Sequence, residues 1–299
     1  MGKPDRDDAG IVRGHPAADQ APAGPHPPGA ITMQKALFQR MLSFGLVSAL
    51  MICMSLPTLA QDTLRLGVEA AYPPFSELAP DGTIKGFDID IGMAVCERLK
   101  ARCTLVQSEF DAMIPALAAR KFDAIVASMS ITPERSKVVR FSKVYYESAA
   151  RFVLNAASSL VISPDGLKGK TIGVQRNTIH EKFVVAQFPL AKIVRYAKQD
   201  EVFLDLVAGR VDVALADVIA IDQGFLKRPA GKGFELRGPS YSDPKWFGLG
   251  PGIAVRKADA ALAERIDQAL TAIVADGTYQ RLASRYFAVD IAPTWSKQK

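Results

Sequence analysis

The chain has 299 residues, 48% hydrophobic and 23% charged, with a net charge of +6. These values exclude a fibrous or wholly disordered protein and leave room for two globular domains. Basic residues are scattered, with no stripe and no interleaved aromatics, so no electrostatic footprint for nucleic acid is present.

Residues 1–32 are dominated by Pro, Gly, Ala, Asp and His without an apolar period. They are expected to be a disordered or mis-annotated extension, with Met33 or Met41 as the start. Residues 33–60 read as a signal peptide: Lys35 and Arg40 are basic, 41–56 is apolar, and 57–60 ends in small residues. Cleavage is expected after Ala60, leaving no second apolar run of membrane-spanning length. Five Lys/Arg and four Asp/Glu precede residue 61, so the remainder carries +5. Cleavage also removes Cys53, His15 and His26. Cys96 and Cys103 remain as an even pair in an oxidising compartment, where a disulfide is expected. A lone His180 argues against a histidine-based triad or a His-rich zinc site. No metal or cofactor is expected.

The alternating Leu64-Arg65-Leu66-Gly67-Val68 predicts a first strand, ended by Glu69 and a rigid turn through Tyr72, Pro73, Pro74 and Phe75. Asp81-Gly82 marks a hairpin-like turn. Gly86-Phe87-Asp88-Ile89-Asp90 leads into a helix with Ile91, Val95 and Leu99 on one face. A strand follows at 103–106, and Phe110-Asp111 opens a helix carrying Met113, Ile114 and Leu117. Ala124-Ile125-Val126-Ala127 reads as a buried strand. It feeds Ser128-Met129-Ser130-Ile131-Thr132-Pro133-Glu134-Arg135, read as a polar turn and a helix start with Thr132 at the N-cap. Arg135 would then lie in the first turn, where the macrodipole disfavours a cation unless an anion is held there. The alternative is a surface arginine paired with Glu134 or Glu147.

The stretch 117–128 is echoed by 206–217, and Leu66-Gly67-Val68-Glu69 by Ile172-Gly173-Val174-Gln175. Two copies of a strand–helix–strand unit imply two similar α/β lobes. Ligands of open parallel sheets bind beyond the strands' carboxyl ends, which places Glu69, Ser128, Gln175 and Asp217 on a shared cleft. Gly169-Lys170-Thr171 is not a phosphate loop, because the glycine required five positions before the Gly-Lys pair is Pro164. Residues 253–255 read as a returning strand. Asp259 is expected to cap a helix over 260–275 that stops at Gly277, and 279–287 reads as a last short helix.

At 86–90, at 128–135 and at Asp276-Gly277-Thr278-Tyr279 the chain resembles the polar-amino-acid periplasmic binding proteins of ABC importers. Within them it is most similar to the lysine/arginine/ornithine and histidine binders. The likeness runs from about Thr63 to Ile291. It implies a type II fold of two α/β lobes, each a mixed, mostly parallel sheet flanked by helices. Lobe 1 would comprise 61–147 and 252–299, lobe 2 would comprise 151–243, and 148–150 with 244–251 would form the hinge. It implies a monomeric periplasmic receptor, not an enzyme, delivering a cationic L-amino acid to an inner-membrane permease. Arg135 would take the α-carboxylate with Ser130 and the loop amides of Thr178 and Ile179. Asp217 would take the α-ammonium with Ser128 and Ser130, Tyr72 and Phe110 would flank the side chain, and Glu69 would face its charge. Gln175, Ile179 and His180 stand where an apolar residue, Thr and Gln are common. Ala127 replaces a Ser, and Glu69 replaces an Asp. Opine binders share this scaffold, as do exported dehydratases for prephenate-like acids, in which Glu69 or His180 could serve as general acid.

Overall fold

The computed structural model describes residues 62–297. The extension, the signal peptide and its cleavage site lie outside the described residues.

The chain begins with β1 (Thr63–Val68), then a small antiparallel sheet of β2 (Ala71–Tyr72), β3 (Ser76–Leu78) and β4 (Ile84–Lys85), which turns at Asp81-Gly82 as expected. Helix α1 (Phe87–Arg98) follows, then β5 (Arg102–Gln107), a 3-10 turn at Phe110–Ala112, α2 (Met113–Ala118), β6 (Ala124–Ile125) and β7 (Val139–Val144). The second lobe holds β8 (Ala150–Asn155), β9 (Thr171–Gln175), α3 (Ile179–Gln187), β10 (Lys192–Tyr196), α4 (Gln199–Val207), β11 (Val213–Asp217), α5 (Val218–Ile221) and β12 (Phe234–Tyr241). The chain returns through α6 (Pro244–Phe247) to β13 (Gly252–Arg256), α7 (Ala260–Ala275) and α8 (Thr278–Ala283).

The two large sheets run β5-β1-β6-β13-β7 and β10-β9-β11-β8-β12. In each, three strands are parallel, the fourth runs antiparallel to them, and the fifth pairs antiparallel with the fourth. The echo read from the sequence is this correspondence: β1 and β9 are the central parallel strands, and β6 and β11 lie beside them. The fourth strand of each sheet, β13 or β8, is reached by the chain as it crosses between the lobes. The crossings bond to each other through Tyr145 N–H and the Pro251 carbonyl at 2.9 Å.

Leu66, Val68, Ile91, Val95 and the inner face of α7 form the first core, and Ile172, Val174, Phe183 and Leu215 the second. Ile219 and Ala220 of the second lobe pack into the first lobe's cluster beside Tyr72, Phe75 and Tyr146. Gly224 permits a further approach between lobes, since a Cβ there would lie 2.3 Å from the Pro73 carbonyl oxygen.

Three expectations need correction. No α-helix starts at Thr132: the segment forms one 3-10 turn, Arg135–Lys137. Thr132 still acts as a cap, because its Oγ1 accepts the Arg135 N–H at 3.2 Å. The helix fails to propagate because β7 begins at Val139 and claims the chain. Asp259 does not cap α7 with its side chain, which pairs with Arg256 at 2.7 Å instead. The last helix is shorter than read, ending at Ala283. No helix among the described residues is long and apolar enough to cross a membrane.

Cys96 and Cys103 form a disulfide that ties the end of α1 to the start of β5, Cα to Cα 6.2 Å. Closing so short a loop restricts the unfolded chain by about 2.5 kcal/mol. Cys96→Ser/Cys103→Ser is therefore expected to lower unfolding free energy by about 2–3 kcal/mol in urea titrations, with ligand affinity unchanged.

Candidate functional site

Parallel strands of the two sheets end toward each other, and a small cavity lies between them. All eleven residues singled out in the sequence line it: Glu69, Tyr72, Phe110, Ser128, Ser130 and Arg135 from the first lobe, and Gln175, Thr178, Ile179, His180 and Asp217 from the second. Ala127 joins them.

The first wall is built around Ser128. Its φ of 50° is a left-handed conformation that non-glycine residues seldom adopt. Three bonds hold it there: its N–H donates to the Tyr145 hydroxyl at 3.1 Å, its Oγ donates to Asp88 Oδ2 at 2.9 Å, and Tyr145 donates to Asp88 Oδ1 at 2.9 Å. Asp88 is fully buried, and burial pushes its carboxyl up to about 7. After this corner the chain pairs with the second crossing, Gly252 N–H to the Met129 carbonyl and Ile131 N–H to the Gly250 carbonyl. Residues 128–131 are thereby fastened to a segment that joins the lobes.

Arg135 is buried at 8% exposure, and among the described residues no carboxylate pairs with it. The surface-pair reading is wrong: Glu134 is taken by Lys182, and Glu147 accepts Thr294 N–H and Oγ1–H at 2.7 and 2.9 Å. The Arg135 guanidinium donates instead to two carbonyls, Ser130 at 2.9 Å and, from the other lobe, Asn177 at 3.1 Å. It lies 5.3 Å from the centre of the Phe110 ring, a cation–π distance. Burial lowers its pKa to about 10, which leaves it charged at neutral pH.

The second lobe contributes a helix start and a carboxylate. Thr178 caps α3, its Oγ1 accepting Glu181 N–H at 3.1 Å and donating to the Gln175 carbonyl at 2.7 Å. The first N–H groups of α3 have no intrahelical partner. Asp217, at the end of β11, accepts the Tyr72 phenol at 2.7 Å. Burial and this neighbouring carboxylate hold the Tyr72 phenol well above its usual range. His180 Nε2 lies 3.6 Å from Asp217 Oδ1.

Glu69 is the third charge-bearing group. It is 4% exposed, and Gln175 Nε2 donates both to its carboxylate and to the Ala197 carbonyl. Burial raises the Glu69 carboxyl to about 8, only partly offset by the Gln175 bond.

The sequence reading missed Asp88, whose place in the first turn of α1 looks like an ordinary dipole-facing acid. It also missed the ion pairs between the lobes: Arg176 with Asp111 (2.5 Å) and Glu109 (2.8 Å), Arg228 with Glu77 (2.6 Å), and Lys182 with Glu134. In all of them the cation belongs to the second lobe and the carboxylate to the first. No cluster able to hold a metal ion occurs among the described residues.

Comparison with known proteins agrees with this architecture. The family model for bacterial extracellular solute-binding proteins, family 3, matches residues 64–289. An L-arginine-binding protein of Pseudomonas aeruginosa is 46% identical over 255 residues, 84% of this chain and 98% of its own. The lysine/arginine/ornithine-binding periplasmic protein of Escherichia coli K12 is 40% identical over 261 residues, 87% and 99%. Among solved structures, an ancestral arginine-binding protein bound to arginine superposes with a TM-score of 0.70 at 35% identity, covering 76% of this chain and 99% of its own.

The raised carboxyls of Glu69 and Asp88 favour the folded protein while protonated. Their contribution is complete below the unfolded values, near 4.5 and 3.8, and is lost as pH rises through about 8 and about 7. The protein should lose stability between pH 5.5 and 9, with Glu69 accounting for several kcal/mol, on the order of 3–5, when the lobes are closed. In denaturant titrations at the two pH values, Glu69→Gln should flatten the upper part of the fall. An equally steep fall contradicts the assignment.

Proposed function

We propose that this chain, which belongs to the bacterial extracellular solute-binding proteins of family 3, is a periplasmic receptor for a cationic L-amino acid. The candidates are arginine, ornithine and lysine, delivered to an ABC-type permease by a monomeric protein whose signal peptide has been removed. The function is binding and release, without turnover.

One observation carries the reading. A single cavity holds one buried guanidinium without a carboxylate and two carboxyl groups, Asp217 and Glu69, on its other walls. An α-carboxylate fits Arg135, where a planar fork can make two parallel bonds. Ser130 and the free N–H groups at the start of α3 complete that end. The α-ammonium fits Asp217, with the Ser128 and Ser130 hydroxyls beside it. Glu69 then remains, and a positive side chain answers it. Tyr72 and Phe110 supply ring faces along the side chain.

Arg135 is the one permanent cation lining this cavity among the described residues. An opine carries a second carboxylate, for which the lining offers no counterpart. This disfavours the opine reading. The hinge would lie at 148–150 and 244–251, and opening there would separate Arg135 from the Asn177 carbonyl and Glu69 from Gln175.

The test is a calorimetric panel of arginine, ornithine, lysine, histidine, glutamine and octopine. The cationic amino acids should bind, with octopine far weaker. Arg135→Ala and Asp217→Ala should each weaken arginine by more than about 2 kcal/mol, since each strands a buried ligand charge. Glu69→Gln should weaken arginine far more than glutamine. Unchanged arginine affinity in Arg135→Ala or Asp217→Ala would remove the site from the binding reaction.

A further inference from the structure

One polar atom on the cavity wall has nothing to bond. His180, second residue of α3, is 5% exposed, and its Nε2 has no hydrogen-bond partner among the described residues. Buried polar atoms are rarely left so without a reason in function. The atom is 3.6 Å from Asp217 Oδ1, too far for a hydrogen bond. The other Asp217 oxygen is occupied by the Tyr72 phenol. Two polar atoms separated by this gap suit one donor set between them. An ammonium nitrogen about 2.8–2.9 Å from each closes a triangle on the 3.6 Å base.

The charged groups around the imidazole are otherwise engaged. Asp217 faces it from β11, and Tyr72 reaches Asp217 from β2. On α3, Glu181 bonds the Asn177 N–H and Arg195, and Lys182 bonds Glu134. Arg135 is directed to the Ser130 and Asn177 carbonyls. The Phe247 ring, from α6, lies 6.1 Å away.

We infer that His180 is a specificity-determining residue that accepts the third N–H of the ligand's α-ammonium through Nε2. This rests on the amino-acid reading proposed above. A primary ammonium has three N–H groups, matched by Asp217 Oδ1, a serine hydroxyl and His180 Nε2. An N-alkylated amino acid has two, and leaves one acceptor empty. The site therefore selects free amino acids over N-substituted ones.

The ratio of affinities for arginine and Nα-methylarginine, measured by calorimetry at pH 8, tests this. The wild type should prefer arginine by at least about ten-fold. His180→Phe, which keeps a ring but no acceptor, should lose most of that preference, and His180→Gln, which restores an acceptor, should recover it. An equal preference in wild type and His180→Phe overturns the inference with the amino-acid reading intact. Absence of arginine binding by the wild type overturns both.

Discussion

Arg135 carries a positive charge where water scarcely reaches, and no carboxylate of the described chain answers it. Backbone carbonyls and the Phe110 ring hold the guanidinium in place, but carbonyl dipoles do not neutralise a charge. Removing an ion from water is costly unless an opposite charge replaces the lost hydration. Most of the surrounding structure maintains this condition. The strained Ser128 corner, buttressed by Asp88 and Tyr145, turns the chain so that Ser130 and Arg135 lie on the cavity wall. Pairing with the second crossing then fixes that wall to the connection between the lobes.

The closed arrangement is sustained by contacts of unequal character. Ile219 and Ala220 insert into the first lobe's core, an apolar contact that survives salt. The ion pairs between the lobes all place cations on the second lobe and carboxylates on the first. Each is partly exposed and worth little singly, but their common polarity draws the lobes together in one orientation. The cavity contacts, Arg135 to Asn177, Tyr72 to Asp217 and Gln175 to Glu69, come from groups that a zwitterion would also bond. Ligand and lobes thus share one set of polar atoms, and closure completes the binding site.

Much of this was legible in the sequence because two repeats of one strand–helix–strand pattern locate the strand ends, and strand ends in parallel sheets define the cavity. Glu69, Ser128, Gln175 and Asp217 followed from that rule alone. Arg135 was read as an anion site from its helix-start pattern, and the remaining cavity residues rested on the family resemblance. What escaped depended on tertiary context. Thr132 and Pro133 have helix-start chemistry, but the demand of β7 overrode it. Asp259 has N-cap chemistry, but Arg256 captured its carboxylate. Asp88 reads as a surface acid at a helix start, and only three-dimensional packing reveals it as a buried brace. The ion pairs between lobes join residues 48 to 151 positions apart, beyond any local pattern.

Glu69 states the charge argument in its sharpest form. Favoured in its neutral form by burial, it must ionise to pair with a cationic side chain, so binding should expel its proton. Arginine binding at pH 7, followed calorimetrically in buffers of different ionisation enthalpy, measures this directly. With burial raising the carboxyl to about 8, release of a substantial fraction of a proton per arginine is expected, and close to none on binding glutamine. Equal proton release for the two ligands, or none for arginine, would contradict the account.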